Sequence, residues 1–96
     1  MVKRTSPARR RQLERLGEHV RAWRQLQGLS AAELARRAHV TRDTLRALEE
    51  GTGSPRLDSV MAVVSALGFA EHFVNGADPL DTESGRALAI ARAARS

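Results

Sequence analysis

The sequence predicts an all-α fold, and three observations lead to this prediction. Apolar residues recur every three or four positions along most of the chain, and no stretch shows the two-residue alternation of a half-buried strand. Residues that begin or end helices, such as Pro7, Gly28 and Gly51, recur at intervals typical of helix lengths. Aromatic residues, which favour strands, are one tryptophan and two phenylalanines. The 96 residues suit one domain that folds without disulfides.

The first helix is expected to begin at Ser6-Pro7 and to close near Gly28. Serine caps helix N-termini, and proline at the first helical position gives up no hydrogen bond. The inward stripe of this helix is predicted to consist of Leu13, Leu16, Val20, Trp23 and Leu26. We therefore expect Trp23 to lie in the core.

Two short helices joined by a very short turn follow. Ser30 and Glu33 have the spacing of a capping box, which predicts a second helix that runs to about Ala38. Thr41 is the next N-cap candidate, for a third helix that stops at Gly51. Such a pair forms a helix-turn-helix when the two helices cross closely. The outer face of the third helix is then predicted to carry Thr41, Arg42, Asp43, Arg46, Ala47 and Glu50.

Three further helical segments are predicted after the break at residues 52–55. A fourth helix runs from about Leu57 to Gly68, and a fifth, short helix ends near Gly76 and brings Phe69 and Phe73 to the core. A last segment, from Asp81 or Thr82 to the end, has an apolar side with little left to bury itself against. We expect the fifth helix and this segment to hold at least part of a homodimer, with the apolar side buried against a second subunit or another protein; the alternative for the segment is a frayed tail.

Basic residues are concentrated at the start of the chain. The net charge is +5, and five of the 16 lysines and arginines lie in residues 1–11, which contain no acidic residue. A basic arm attracts polyanions, most commonly nucleic acid, although arginine and alanine enrichment could also reflect a GC-rich coding bias. The predicted organisation is a basic arm with the start of the first helix at 1–11, a helix-turn-helix domain at 12–76 and a helical extension at 77–96.

Several classes of function are not expected. There is no cysteine, so disulfide frameworks, thiolate zinc sites and cysteine nucleophiles are excluded. The three histidines have no ligand-like spacing and no phosphate-binding glycine loop occurs, so neither catalysis nor a metal or other cofactor is expected. No apolar run reaches the roughly 18–20 residues that span a bilayer, and the basic start is not followed by an apolar signal core. We expect a cytoplasmic protein without membrane association.

Several motifs together resemble one known family. They are Leu29-Ser30-Ala31-Ala32-Glu33-Leu34-Ala35, Val40-Thr41-Arg42-Asp43-Thr44-Leu45, Leu48-Glu49-Glu50-Gly51, Pro55 and Leu67-Gly68. In order and spacing they are similar to the lambda-repressor-like (Xre/Cro) family, over about residues 12–75. The resemblance implies a five-helix DNA-binding domain whose third helix, about residues 41–50, enters the major groove of double-stranded DNA. It also implies a buried ion pair between Arg24 and Glu49.

The predicted DNA-binding residues follow from this resemblance and from side-chain chemistry. Arg42 and Arg46 can donate two hydrogen bonds to a guanine edge, while Asp43 can accept from cytosine or hold a neighbouring arginine. Helix N-termini bind phosphate, and the resemblance places Arg56 near the phosphates or the minor-groove edge. The full set is Ser30, Thr41, Arg42, Asp43, Thr44, Arg46, Ala47 and Arg56. The alternative is an ordinary solvated helix face.

Two positions depart from the family pattern. Ala31 stands where the family commonly has a glutamine that holds a phosphate, so that contact is expected to be absent. His39 stands at the turn position usually held by glycine, and a left-handed conformation costs a non-glycine residue roughly 1–2 kcal/mol. We expect the motif to form despite this cost.

The function predicted from the sequence is a bacterial transcriptional repressor that acts as a homodimer on a pseudo-palindromic operator. An antitoxin that binds a kinase-like toxin and represses its own operon is the alternative. Residues 78–86, followed by an alanine-rich helix, resemble the tails of small Xre-type regulators encoded beside such toxins.

Overall fold

The computed structural model describes residues 6–95, in which every regular element is helical. Six α-helices follow one another, and a 3-10 turn at Pro79–Asp81 precedes the last: α1 Pro7–Leu26, α2 Ala31–Ala38, α3 Arg42–Glu50, α4 Leu57–Leu67, α5 Ala70–Asn75 and α6 Glu83–Arg95. The all-α prediction is confirmed. None of the described helices is both long and apolar enough to cross a membrane.

The predicted basic arm falls partly outside the described residues, which is where Lys3 and Arg4 lie. Its other three basic residues, Arg9 to Arg11, belong to the first turns of α1 and are exposed. The helix begins as the sequence predicts, with the Ser6 hydroxyl accepting a hydrogen bond from the Arg9 amide at 3.1 Å. The described part of the arm is therefore helical and not an extended tail.

One apolar core joins the first five helices. α2 packs on α4, α1 packs on α3, and α5 closes the end of α4. The fully buried side chains come from α1 to α4 and include Val20, Leu34, Leu45, Val63 and Val64. Phe69, between α4 and α5, is also buried. This core holds the two short helices α2 and α3 against the rest of the domain.

The prediction that Trp23 lies in the core is wrong, as is the inward position of Leu26. Trp23 is 40% exposed and Leu26 is 85% exposed. Along α1, only Gly17 and Val20 are buried, because the long helix extends beyond the core at both ends. The Trp23 indole instead covers the edge of the core, stacked on the Phe69 ring with the two centroids 5.0 Å apart.

Two glycines allow α1 and the end of α3 to approach closely. A methyl group on Gly17 would overlap the backbone carbonyl oxygens of Leu48 and Glu49. Gly51 has a φ of +70°, and a methyl group there would meet the backbone of Glu14. Gly51 is the helix end that the sequence predicts, whereas the role of Gly17 depends on a contact between helices.

The ends of α2 form as the sequence predicts. Ser30 and Glu33 exchange hydrogen bonds between side chain and backbone in a capping box. Donation from the Ser30 amide lowers the pKa of the Glu33 carboxyl, so this bond weakens as the pH falls through that lowered pKa. At the other end, His39 adopts the left-handed conformation, with φ 57° and ψ 40°. The Val40 amide then donates to the Ala35 carbonyl and closes the turn into α3.

The last helix, α6, is the least buried element. It packs against the 3-10 turn, where Gly85 lies so close that a methyl group would overlap the Pro79 carbonyl oxygen. None of its residues is buried, and Leu88 and Ile90 are each 71% exposed. The apolar side chains of α6 thus remain largely accessible, as the sequence predicts.

Candidate nucleic-acid interface

The N-terminus of α3 is built from two threonines. The Thr41 hydroxyl accepts a hydrogen bond from the Thr44 amide at 3.0 Å and donates one to the Thr44 hydroxyl at 2.9 Å. This cap leaves the first amides of α3 without intrahelical partners, at the positive end of the helix dipole. Arg42 is the first residue of the helix, and this N-terminus can accept an anion beside it.

The outward face of α3 carries charged side chains with few partners. Arg42, Asp43, Arg46 and Glu50 are exposed, while Ala47 is half-buried. Arg46 lies 3.8 Å from Asp43, and both side chains are mostly exposed, so this ion pair contributes little to stability. Within residues 6–95, Arg42 forms no hydrogen bond or ion pair. Two arginines of α3 are therefore available to an external partner.

A buried ion pair fixes α3 against α1. The Arg24 Nε atom donates to Glu49 Oε2 at 2.7 Å, and Arg24 Nη2 donates to Glu49 Oε1 at 2.9 Å. Arg24 Nη1 also donates to the Leu29 carbonyl at 3.1 Å, which ties the pair to the start of α2. The hydrogen bonds with Glu49 raise the pKa of Arg24. The ion pair implied by the family resemblance is thus present in the fold.

Arg21 is a third member of this cluster, and sequence analysis did not single it out. Its Nε atom lies 3.3 Å from Glu49 Oε1, and its side chain is 47% exposed. Arg21 precedes Arg24 by three residues, so the two share one face of α1. The three-residue spacing between Arg21 and Arg24 was the only feature of the sequence that pointed to Arg21. It became informative once the fold placed Glu49 against both arginines.

Two separate cavities border α3, and they share no lining residue. One cavity of about 270 Å³ lies between α1, the first residue of α2 and α3, and contains Arg42 and Arg46. A second groove of about 330 Å³ connects Ala47 of α3 to Ser54 and Pro55, directly before Arg56. Ser30 caps α2, and the exposed Arg56 occupies the N-cap position of α4 without a side-chain hydrogen bond. The structure thus places Arg42 and Arg46 at one cavity and Ala47 at the other, while Ser30 and Arg56 line neither.

The second groove also accounts for the exposure of Leu13, which was expected to face the core. Leu13 is 37% exposed because it lines this groove with Leu16, Leu48 and Val60. Its position on the inward stripe of α1 is therefore only partly correct. Among residues 6–95 no three histidine, aspartate or glutamate side chains are grouped in a way that could hold a metal ion.

Comparison with known families agrees with this geometry. A family model described as a helix-turn-helix domain matches residues 15–75, which is more than half of the chain. The chain belongs to this helix-turn-helix family, and the resemblance to lambda-repressor-like regulators is confirmed. The fold and the family together define a DNA-binding transcription regulator. No curated protein and no solved structure matches the chain.

Proposed function

We propose that this regulator is a repressor that binds a pseudo-palindromic operator as a homodimer, with α3 of each subunit in a major groove. The observation that carries the proposal is the outward face of α3, whose arginines have almost no partners within the domain. A helix-turn-helix presents its second helix to the groove, and a dimer reads two half-sites about one helical turn apart. A bound repressor then blocks transcription from the promoter that contains the operator.

Each candidate residue has a role that fits its position. Arg42 begins α3, and the N-terminal residues of recognition helices contact base edges, so Arg42 is proposed to donate to a guanine. Arg46 lies one turn further along α3, with Asp43 close enough to orient it. Ala47 is small and apolar, which suits contact with a thymine methyl group.

The remaining candidates are proposed to position the domain on the backbone. Ser30, Thr41 and Thr44 shape the N-termini of α2 and α3, where free amides can donate to phosphates. Arg56 is exposed at the start of α4. Arg9, Arg10 and Arg11 place positive charge in the first turns of α1, where the helix dipole disfavours cations. A phosphate backbone near this end would offset that unfavourable charge.

Replacement of Arg42 with alanine is expected to weaken binding to the preferred site by about 1–3 kcal/mol, because a bidentate contact with one base is lost. The preferred site is obtained by selecting genomic DNA fragments with the purified protein, and affinities are then measured on this site and on a scrambled duplex. An inverted repeat in the selected fragments supports the dimeric operator. Arg37→Ala, at an exposed arginine of α2, is the matched control and should leave both affinities unchanged. An equal loss on both duplexes would make Arg42 a phosphate contact and not a base contact.

The proposed homodimer is supported by the exposed apolar side chains of α6. Leu88 and Ile90 are among the most exposed large apolar residues of the domain, and burial against a second copy would remove them from water. A single helix-turn-helix covers a short half-site, so specificity across a genome normally requires two copies. The requirement for a second half-site and the accessible α6 surface both favour self-association.

The double substitution Leu88→Ser with Ile90→Ser is expected to convert the dimer into a monomer at micromolar concentration. Loss of two apolar side chains from each subunit removes about 3–6 kcal/mol of favourable burial free energy per chain. A small interface does not stay associated after a loss of this size. Sedimentation equilibrium of the full chain provides the measurement. Leu26→Ser, at an exposed leucine of α1, serves as the control for a general loss of apolar surface. A wild-type chain that is already monomeric while it binds one half-site would contradict the dimer.

The antitoxin function is the second candidate, and the same α6 surface favours it. A toxin seated on α6 would bury Leu88 and Ile90 in place of a second copy. A neighbouring gene whose product is lethal alone and tolerated together with this protein would support this function. We place either activity in the cytoplasm, on the nucleoid.

A further inference from the structure

We propose that the cavity between α1, the start of α2 and α3 binds one backbone phosphate of DNA, and that Arg21 is a DNA-binding residue. This proposal rests on the proposed mode of DNA binding and adds a contact that the family resemblance does not imply. The cavity measures about 270 Å³, and the charged residues that line it are Arg21, Arg24, Arg42, Arg46, Glu49 and Glu50. We call it the arginine cavity.

The arginine cavity has an excess of positive charge. Four guanidinium groups line it, against the two carboxylates of Glu49 and Glu50. Glu49 is engaged with two of the arginines, since Arg24 binds both of its oxygens and Arg21 binds Oε1. Arg42 has no carboxylate partner within residues 6–95. An oxyanion bound in the cavity would offset the repulsion among these positively charged side chains.

Arg21 is held in a suitable position to bind such an anion. Its Nε atom is bonded to Glu49, while its two terminal amino groups form no hydrogen bond with any described residue. Guanidinium groups bind phosphate through two parallel N–H donors, so this pair of free donors matches the chemistry. The contact with Glu49 also limits the side-chain freedom that binding would otherwise remove.

The small residue at the start of α2 leaves the arginine cavity accessible. Ala31 is the first residue of α2, and its methyl group fills little of the space between α1 and α3. The amides of Ala31 and Ala32 donate no hydrogen bond within the described part of the chain. Arg21 lines the same cavity from α1, together with Ala31.

The position of the arginine cavity favours DNA over a free anion as the source of the phosphate. Arg42 and Arg46 belong to the outward face of α3 and also line the cavity. An anion bound there is therefore adjacent to the side chains proposed to enter the major groove. A duplex brings phosphates to both edges of that groove, whereas inorganic phosphate offers the same chemistry without the duplex.

The test is the salt dependence of binding to a mixed-sequence DNA duplex of roughly 30 base pairs, about three helical turns. Each neutralised phosphate contributes about 0.9 to the slope of log K against log salt, so Arg21→Gln should reduce the slope by about 0.9. Arg21→Lys keeps the charge and should retain most of the slope. Arg15→Gln makes the same change in charge at an exposed residue of α1 outside the cavity and should leave the slope unaltered. Circular dichroism confirms that each variant is folded.

The outcomes separate this proposal from the proposed function. Wild-type protein that binds the duplex, together with Arg21→Gln that binds it with an unchanged slope, would overturn the role of Arg21 and leave DNA binding intact. Wild-type protein that does not bind any duplex would overturn both. A titration with inorganic phosphate, followed by NMR, tests whether the cavity binds the free anion. An unchanged DNA slope, with phosphate-induced shifts that Arg21→Gln abolishes, would assign the cavity to a free anion and contradict the proposal.

Discussion

Replacement of Glu49 with alanine is expected to lower the free energy of unfolding by about 3–5 kcal/mol, because it leaves the Arg24 charge buried without its partner. Glu49 is 6% exposed, and the Arg24 side chain is 14% exposed. Arg24 would keep only its hydrogen bond to the Leu29 carbonyl. Arg21 is nearly half exposed and can turn towards solvent, so most of the loss comes from Arg24. Denaturant-induced unfolding of both proteins gives the difference.

Arg21→Ala is the internal control for this experiment, and it should cost less than about 1 kcal/mol because its pairing is screened by water. The double variant Glu49→Ala with Arg24→Met should recover part of the loss, because the unpaired buried charge is removed together with its partner. A loss below about 1 kcal/mol for Glu49→Ala alone would show that the pair is effectively solvated. The proposed anchoring of α3 on α1 would then be wrong.

Gly17→Ala is expected to destabilise the domain by about 2–3 kcal/mol, although alanine is the better helix former by about 1 kcal/mol. The added methyl group would overlap the carbonyl oxygens of Leu48 and Glu49. Both are backbone atoms at the end of α3, so they cannot move aside as a flexible side chain can. Either α1 and α3 must separate or the end of α3 must distort. Thermal and denaturant unfolding provide the measurement.

Ala22→Gly makes the reverse change at an exposed position of the same helix, and it should destabilise by about 1 kcal/mol through helix propensity alone. The two variants together separate the steric effect at Gly17 from the intrinsic preference of α1. If Gly17→Ala were stabilising, α1 and α3 would not approach each other as closely as the structure shows.

Both substitutions act where α1 meets α3, and this junction also supports the proposed interface. The exposed arginines of α3 and the arginine cavity keep their geometry only while α3 is anchored by Glu49 and by the close approach at Gly17. DNA affinity of these variants should therefore be reduced even where each variant is folded. Affinity measured well below the unfolding temperature is the appropriate comparison.

The local signals in the sequence were sufficient to predict the helices and their ends. The Ser30–Glu33 capping box, the Thr41 N-cap and the helix end at Gly51 act on backbone groups within a few residues of themselves. Because these interactions are contained in short segments, composition and spacing predict them. The order and spacing of the same signals identified the family and the outward face of α3.

Tertiary structure decided which residues of α1 are buried and which face the proposed interface. Periodicity placed Trp23 and Leu26 inward, but Trp23 only covers the edge of the core on Phe69 and Leu26 lies beyond it. Gly17 and Arg21 gain their roles from Leu48 and Glu49, which lie on another helix and far along the chain. Spacing within one helix determines which side chains share a face. The distance to a second helix, and so the presence of a contact or a cavity there, depends on how the whole core packs.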